Sequence, residues 1–348
     1  MTPPVFVVGA SRSGTNLVRA ILNAHGSLWV SAETHYFDDL RPRLGAGARG
    51  PLDAAARAEC ERYFLSLSHR AYGRRGEPEQ ARIDAGELGR RAAALGGGGD
   101  AYFEAFCELR ARLHGRAAWG EKTPRHAYRI PELLDAFPQA RVVCLLRDPR
   151  AVVASYRDWH RGGVRPGLDP GNAAGLAAER ERSRRSYHPL LASLLWRGVV
   201  RAEQEALRRF GPERVRLQRF EELADAPERT LRELCAWLGL AFEPAMLDVP
   251  VVNSSYATAA AGVSREPVER WRTTLPPWEL AVVQRACGGP MAELGYEPTP
   301  VRAPGAAARA WLTLPAAAVR AGLANRRRLG KLGAYVGRRS RLAFSRAR

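Results

Sequence analysis

Residues 5–16 read VFVVGASRSGTN, a continuous apolar run that breaks at a glycine-bounded turn and leads into an amphipathic stretch. Residues 5–8 have the length and composition of a strand buried on both faces, the kind found in parallel sheets. Residues 15–25 place Leu17, Val18, Ile21 and Leu22 on one helical face and stop at Gly26. Gly9 and Gly14 have the spacing of the phosphate-loop pattern G-x-x-x-x-G-K-[ST], but Thr15 stands where the lysine belongs. Backbone N–H groups and the helix dipole both point at whatever sits before such a helix, which makes it an anion site. Ser13, Gly14, Thr15 and Asn16 supply donors there, and Arg12 adds positive charge at the tip of the turn.

The same alternation continues along the chain. Residues 28–30, 142–146 and the RVRLQR stretch read as further strands, and AAWGEKTPRH as a strand edge running into a helix; residues 189–210 and 227–238 read as helices. Thr123 is placed as an N-cap with Pro124 at the first helical position, and Asp148-Pro149 caps and starts another helix. Strands alternating with helices predict an α/β chain with a parallel sheet covered on both faces. Residues 41–117 are rich in Ala and Arg and read as a helical insertion, broken by a flexible GGGGD at 96–100; a glycine-rich loop is expected at 162–175. The composition shifts after Pro298 to Ala, Gly, Pro and Arg, which predicts one domain over residues 1–298 and a basic tail over 299–348.

Charge sharpens that division. Of the net +18, twelve Lys and Arg lie in residues 301–348 with no acid among them, leaving +6 for the first 300 residues. The body is therefore mildly positive, as suits an anionic ligand. Only Lys122 and Lys331 are lysine among 54 basic residues, so Lys122 is read as doing what a planar guanidinium does poorly, presenting a compact point charge. Five scattered cysteines without C-x-x-C spacing argue against a disulfide framework or a zinc site, and no signal peptide or membrane-spanning run is expected. The expected location is the cytoplasm, or the periphery of the inner membrane surface.

A second anion site is predicted at LLRDPRAVVAS, where Arg147 ends a strand and Ser155 lies two helical turns on. Two phosphate sites imply a ligand phosphorylated at both ends of a nucleoside. A magnesium-dependent phosphotransferase needs the lysine of the loop and a metal-binding aspartate at the strand end. Thr15 and Arg147 occupy those positions, which weakens that reading, and Asp148 suits capping better than metal ligation.

In RSGTN after a strand, in GEKTP and in LLRDPRAVVAS the chain resembles sulfotransferases that use 3′-phosphoadenylyl sulfate (PAPS), in particular the tyrosylprotein sulfotransferase-like and bacterial branch. The resemblance spans about residues 4–296. It implies a P-loop NTPase-like three-layer fold, with a central parallel sheet flanked by helices. It also implies that Arg12, Ser13, Gly14, Thr15 and Asn16 hold the 5′-phosphosulfate, that Arg147 and Ser155 hold the 3′-phosphate, and that Ser264 closes over the nucleotide. Lys122 is then the electrostatic catalyst and Glu33 the base, with PAPS as co-substrate and no metal. Asn16 departs from the family's second threonine and Phe220 from a frequent tyrosine. Pro124 stands where the cytosolic branch carries its histidine base, leaving His126 a poor substitute for Glu33.

The acceptor, a hydroxyl or amine on a glycan, lipid, peptide or secondary metabolite, is not readable; the segments 41–117 and 162–188 are expected to shape its pocket. Two other functions stay open: a P-loop kinase-like phosphotransferase, and a non-catalytic protein that binds membrane or nucleic acid through its tail. The tail is read first as a disordered arm. The alternatives are a membrane-surface helix, since Trp311, Leu312, Leu314, Val319, Leu323, Leu329, Leu332 and Tyr335 interleave with arginines, and nucleic-acid binding, for which no recognised module is present.

Overall fold

The phosphate-loop strand β1 (Val5–Gly9) lies at the centre of a parallel sheet, with β2 (Leu28–Ser31), β3 (Ala118–Lys122), β4 (Arg141–Leu146) and β5 (Val215–Arg219) in the order β2-β3-β1-β4-β5. This is a computed structural model, and it describes residues 2–68, 83–161, 170–249 and 264–325. Every residue of β1 is buried, and the strand's period of two splits the core. Phe6 and Val8 pack into one apolar cluster, Val5 and Val7 into another on the opposite face. Three layers result, a P-loop-like arrangement in which helices cover both faces of the sheet.

α1 (Thr15–Asn23) covers the Val5/Val7 face through Val18, Ile21 and Leu22. α2 (Tyr36–Asp39) precedes the insertion, which supplies α3 (Arg41–Leu44), α4 (Ala54–Ser68), α5 (Ala85–Ala94) and α6 (Gly99–Leu113) on the other face. An aromatic group ties α6 to the sheet: the Phe103 ring centroid lies 6.1 Å from Phe6 of β1 and 6.0 Å from Trp119 of β3. After β3 come a 3₁₀ turn at Pro124–Arg129, α7 (Ile130–Ala136), β4 and α8 (Pro149–Asp158). Then follow α9 (Pro170–Ser186), α10 (Pro189–Phe210), β5, α11 (Phe220–Asp225) and α12 (Pro227–Leu238). α13 (Glu266–Glu269), α14 (Trp271–Thr274), α15 (Pro277–Glu293) and α16 (Ala306–Asn325) complete the described residues.

Three local expectations change. GGGGD is not a loose break, because Gly99 and Asp100 open α6 and the buried Asp100 accepts hydrogen bonds from Tyr36 and Arg41. The expected loop at 162–175 gives way to α9 from Pro170; residues 162–169 lie outside the described residues. The compositional shift at Pro298 marks no break in packing as far as Asn325. Ala306 and Ala310 of α16 are buried with Leu190 and Val282, and His188 Nε2 lies 3.0 Å from Thr313 Oγ1. A disordered arm is therefore wrong for residues 306–325: small alanines let the helix sit close against α10 and α15. Residues 326–348 lie outside the described residues.

The chain leaves β1 toward β2 on one side and leaves β4 toward β5 on the other. The carboxyl ends of these adjacent strands thus border the crevice where an open α/β sheet binds its ligand.

Candidate active site

The turn after β1 is shaped for close approach. Gly9 has φ +151°, and a Cβ there would lie 2.9 Å from Leu145 O and 2.9 Å from Ser13 Oγ. Gly14 has φ +105°, and a Cβ there would lie 2.5 Å from Phe220 Cδ2. Ser13 is fully buried and donates to Ala10 O at 2.6 Å, which closes the turn. No side chain caps α1, which leaves its first-turn N–H groups for another acceptor, as at a helix start that holds an anion. These features fit a phosphate group: a glycine cradle and a helix N-terminus formed by Gly14, Thr15 and Asn16.

Arg147 follows β4 and is buried, its guanidinium 4.5 Å from the Phe220 ring centroid. It donates to the Arg12 carbonyl at 2.9 Å and to the Pro267 carbonyl at 2.5 Å. Arg12 in turn donates from Nε to Ser155 Oγ at 3.0 Å and lies over Trp159 at 5.1 Å. The two anion sites expected from sequence therefore share a wall, with Arg12 bridging from the first to Ser155 of the second. Adjacency of β1 and β4 is the reason, since it sets their following loops side by side. Asp148 caps α8 as expected, accepting from Arg150 N at 2.8 Å, and takes the Arg150 guanidinium as well.

Across β1, register sets Val7 opposite Lys122 of β3 and Ser31 of β2 opposite Glu121. Glu33, two residues past β2, thereby meets Lys122: Nζ lies 2.6 Å from Glu33 Oε1 although 89 residues separate them. The Lys122 side chain is 2% exposed and that of Glu33 37%. Burial alone would raise the Glu33 carboxyl, but the charges of Lys122, His35 and Arg125 and the Lys122 hydrogen bond bring it from 4.5 to about 2. Burial lowers Lys122, against the pull of Glu33.

Beneath this pair lies a network that sequence reasoning missed. Glu121 is fully buried and accepts at 2.9 Å from both Thr34 N and Thr34 Oγ1, and also from Thr123 Oγ1. One carboxylate thus joins the residue after Glu33 to the residue after Lys122. His126 Nδ1 lies 3.3 Å from Glu121 Oε2, so this buried histidine faces Glu121 and not Glu33. The insertion braces the same segment, since Tyr36 donates to Asp100 and Tyr63 to Thr34 O. A signal was available: a carboxylate inside a strand buried on both faces needs a partner. Thr123, expected as a side-chain cap, spends its hydroxyl on Glu121 and makes no cap bond, although Pro124 does start the 3₁₀ turn.

Two non-glycine residues have positive φ among the described residues, Arg12 at 73° and His35 at 57°. Each flanks one half of the site, where such strain concentrates. Ser264 is not brought in by its own hydroxyl, which accepts from Glu266 N at 3.2 Å. Its segment does adjoin Arg147, through the Pro267 carbonyl.

The profile of the sulfotransferase family matches residues 3–244, and thus the strands, the phosphate loop, Glu33, Lys122, Arg147 and Ser155. The chain belongs to the sulfotransferase family. Among its relatives, carbohydrate sulfotransferase 5 of Mus musculus is 31% identical over 179 residues, covering 48% of this chain and 44% of that protein. Nodulation protein NoeE of Sinorhizobium fredii is 26% identical over 311 residues, covering 84% of this chain and 65% of its own. The chain thus spans less than half of the mouse protein it matches. The fold agrees with the sulfotransferase domain from the curacin biosynthetic pathway, at TM-score 0.51 and 19% identity, over 86% of this chain and 99% of that one.

Proposed function

We propose that this chain transfers a sulfuryl group from PAPS to a hydroxyl or amine acceptor. The observation that carries the reading is the joining of Glu33 and Lys122 at the carboxyl end of the sheet, beside a glycine turn built for phosphate. The donor supplies an activated sulfuryl group on a phosphate leaving group. Glu33 takes the acceptor proton as the acceptor oxygen or nitrogen bonds to sulfur. Lys122 stabilises the electron pair left on the oxygen between sulfur and the 5′-phosphate as that bond breaks. Gly14, Thr15, Asn16 and Arg12 hold the 5′ end, and Arg147 and Ser155 the 3′-phosphate.

A carboxyl at about 2 is a weak base. An anion bound at the loop competes with Glu33 for Lys122, and the weakened ion pair lets the carboxyl rise. Donor binding then tunes the base, and Arg12 exchanges Ser155 for phosphate in the same step. The names of the carbohydrate sulfotransferase relatives make a sugar hydroxyl the first acceptor class to assay.

Calorimetry with adenosine 3′,5′-bisphosphate against AMP and ATP tests the reading. Preference for the bisphosphate is expected, and AMP binding equally well refutes it. Turnover that disappears with EDTA would instead favour the kinase-like alternative.

A further inference from the structure

α16 is apolar on two sides. Its inward side is made of alanines, with Ala306, Ala310 and Ala317 buried. Its outward side is also apolar: Ala308, Leu312, Val319 and Leu323 follow one another at spacings of four, seven and four residues, which keeps them on one helical face. Leu312 is 81% exposed, Val319 63% and Leu323 63%, with Trp311 beside them at 58%. Four of the six exposed large hydrophobic side chains among the described residues therefore lie on this one helix. Such a patch marks an interaction surface.

Charge decides the occupant. Arg309 and Arg320 lie along one edge of the apolar face, Arg309 over the Trp278 ring at 4.2 Å, and residues 326–348 add nine Lys and Arg, with no acid anywhere from residue 298 onward. A second copy seated on this face would bring two such cationic ends together. Residues 326–348 folded back onto it would set their charges against Arg309 and Arg320. Both arrangements oppose like charges, whereas an anionic lipid surface takes the apolar side chains and the cations at once. No described helix is long and apolar enough to cross a membrane, so the contact lies in the interfacial plane.

We propose that the outward face of α16 docks the chain onto an anionic bilayer surface, with Leu312, Val319 and Leu323 entering the headgroup boundary and Trp311 at its edge. The surface is independent of the sulfuryl-transfer reading, and its test is separate.

The full chain is sedimented with vesicles of phosphatidylglycerol and phosphatidylcholine, and with phosphatidylcholine alone. Binding to the anionic vesicles is expected, weaker by at least about tenfold on the neutral ones and weakened by salt. The triple variant Leu312→Gln, Val319→Gln, Leu323→Gln is expected to lose at least about tenfold on anionic vesicles, with its melting temperature and its affinity for adenosine 3′,5′-bisphosphate unchanged. Quenching by lipids brominated in their chains gives a reading without a disruptive change: Trp311→Phe is expected to be quenched markedly less than the unmodified chain. The proposal is overturned by a triple variant that binds as the parent does, by equal quenching of Trp311→Phe and parent, by equal binding to neutral vesicles, or by absence of vesicle binding. A lipid-free dimer that the triple variant converts to monomer also overturns it, by giving the face to a second copy.

Discussion

Lys122 and Arg147 stand on opposite sides of β1, each at the carboxyl end of a neighbouring strand and each buried. Their surroundings differ in kind. Lys122 is bonded to the Glu33 carboxylate, the partner for which an entering anion would compete under the proposed mechanism. Arg147 is fixed by the carbonyls of Arg12 and Pro267 and by the face of Phe220, contacts that orient a guanidinium without requiring it to let go. Under the proposed mechanism the Lys122 side of the crevice would exchange partners, as chemistry demands, and the Arg147 side would hold still, as recognition demands. The near-absence of lysine elsewhere fits this division, because a point charge on a flexible stem changes partners more readily than a planar fork.

The largest effect expected from this contrast is on turnover. Lys122→Ala should lower kcat by about 10²–10³-fold and Glu33→Gln by about 10²–10⁴-fold, with nucleotide affinity largely intact by calorimetry. A loss of affinity matching the loss of rate would move both residues to the recognition side. Arg147→Ala should act the other way: affinity for adenosine 3′,5′-bisphosphate falls roughly tenfold to a hundredfold, as expected for a lost charge-assisted contact of about 1.5–3 kcal/mol, while AMP binding changes little. Equal losses for the two nucleotides would separate Arg147 from the 3′-phosphate.

Glu121→Gln tests what holds the exchanging side in place. It retains the volume of the side chain but weakens the bonds to Thr34 and Thr123, and should destabilise the fold by about 1–3 kcal/mol in denaturant titration. An unchanged midpoint would mean that the buried carboxylate is not holding the two strand ends together.

A smaller, sharper effect concerns protonation. Glu33 lies below its ordinary value, so its ion pair stabilises the fold above pH 4.5, and that contribution is lost as pH falls through about 2. Carbon NMR titration of Glu33 should show the value rise when adenosine 3′,5′-bisphosphate is added, and rise again in Lys122→Gln without ligand. A value that stays near 2 in both cases would remove donor-tuned basicity from the mechanism. The smallest change is expected from Phe220→Tyr, which restores a hydroxyl beside Arg147 and should alter bisphosphate affinity by only about threefold, measured by calorimetry.

Much of this architecture was legible along the chain. The apolar strands, the glycine turn, the caps at Asp148 and Pro149 and the helix at Pro227–Leu238 follow from local periodicity and backbone rules that need no distant partner. The candidate positions at strand ends were equally readable, because a parallel sheet collects them on one edge. Pairings were not. Arg12 with Ser155, and Glu121 with Thr34 and Thr123, depend on which strands become neighbours and in what register. The tail misled for a related reason: an Ala- and Arg-rich stretch looks solvated until a groove between α10 and α15 takes its alanines.

The amino-acid order by itself determined the apolar strands, the glycine turn after the first of them and the set of charged residues that end the strands, since each is specified within a few residues of chain. Tertiary structure alone decided that Lys122 faces a carboxylate while Arg147 faces carbonyls and a ring. Those contacts cross as many as 135 residues of sequence, and only the order and register of the sheet bring them within hydrogen-bond distance.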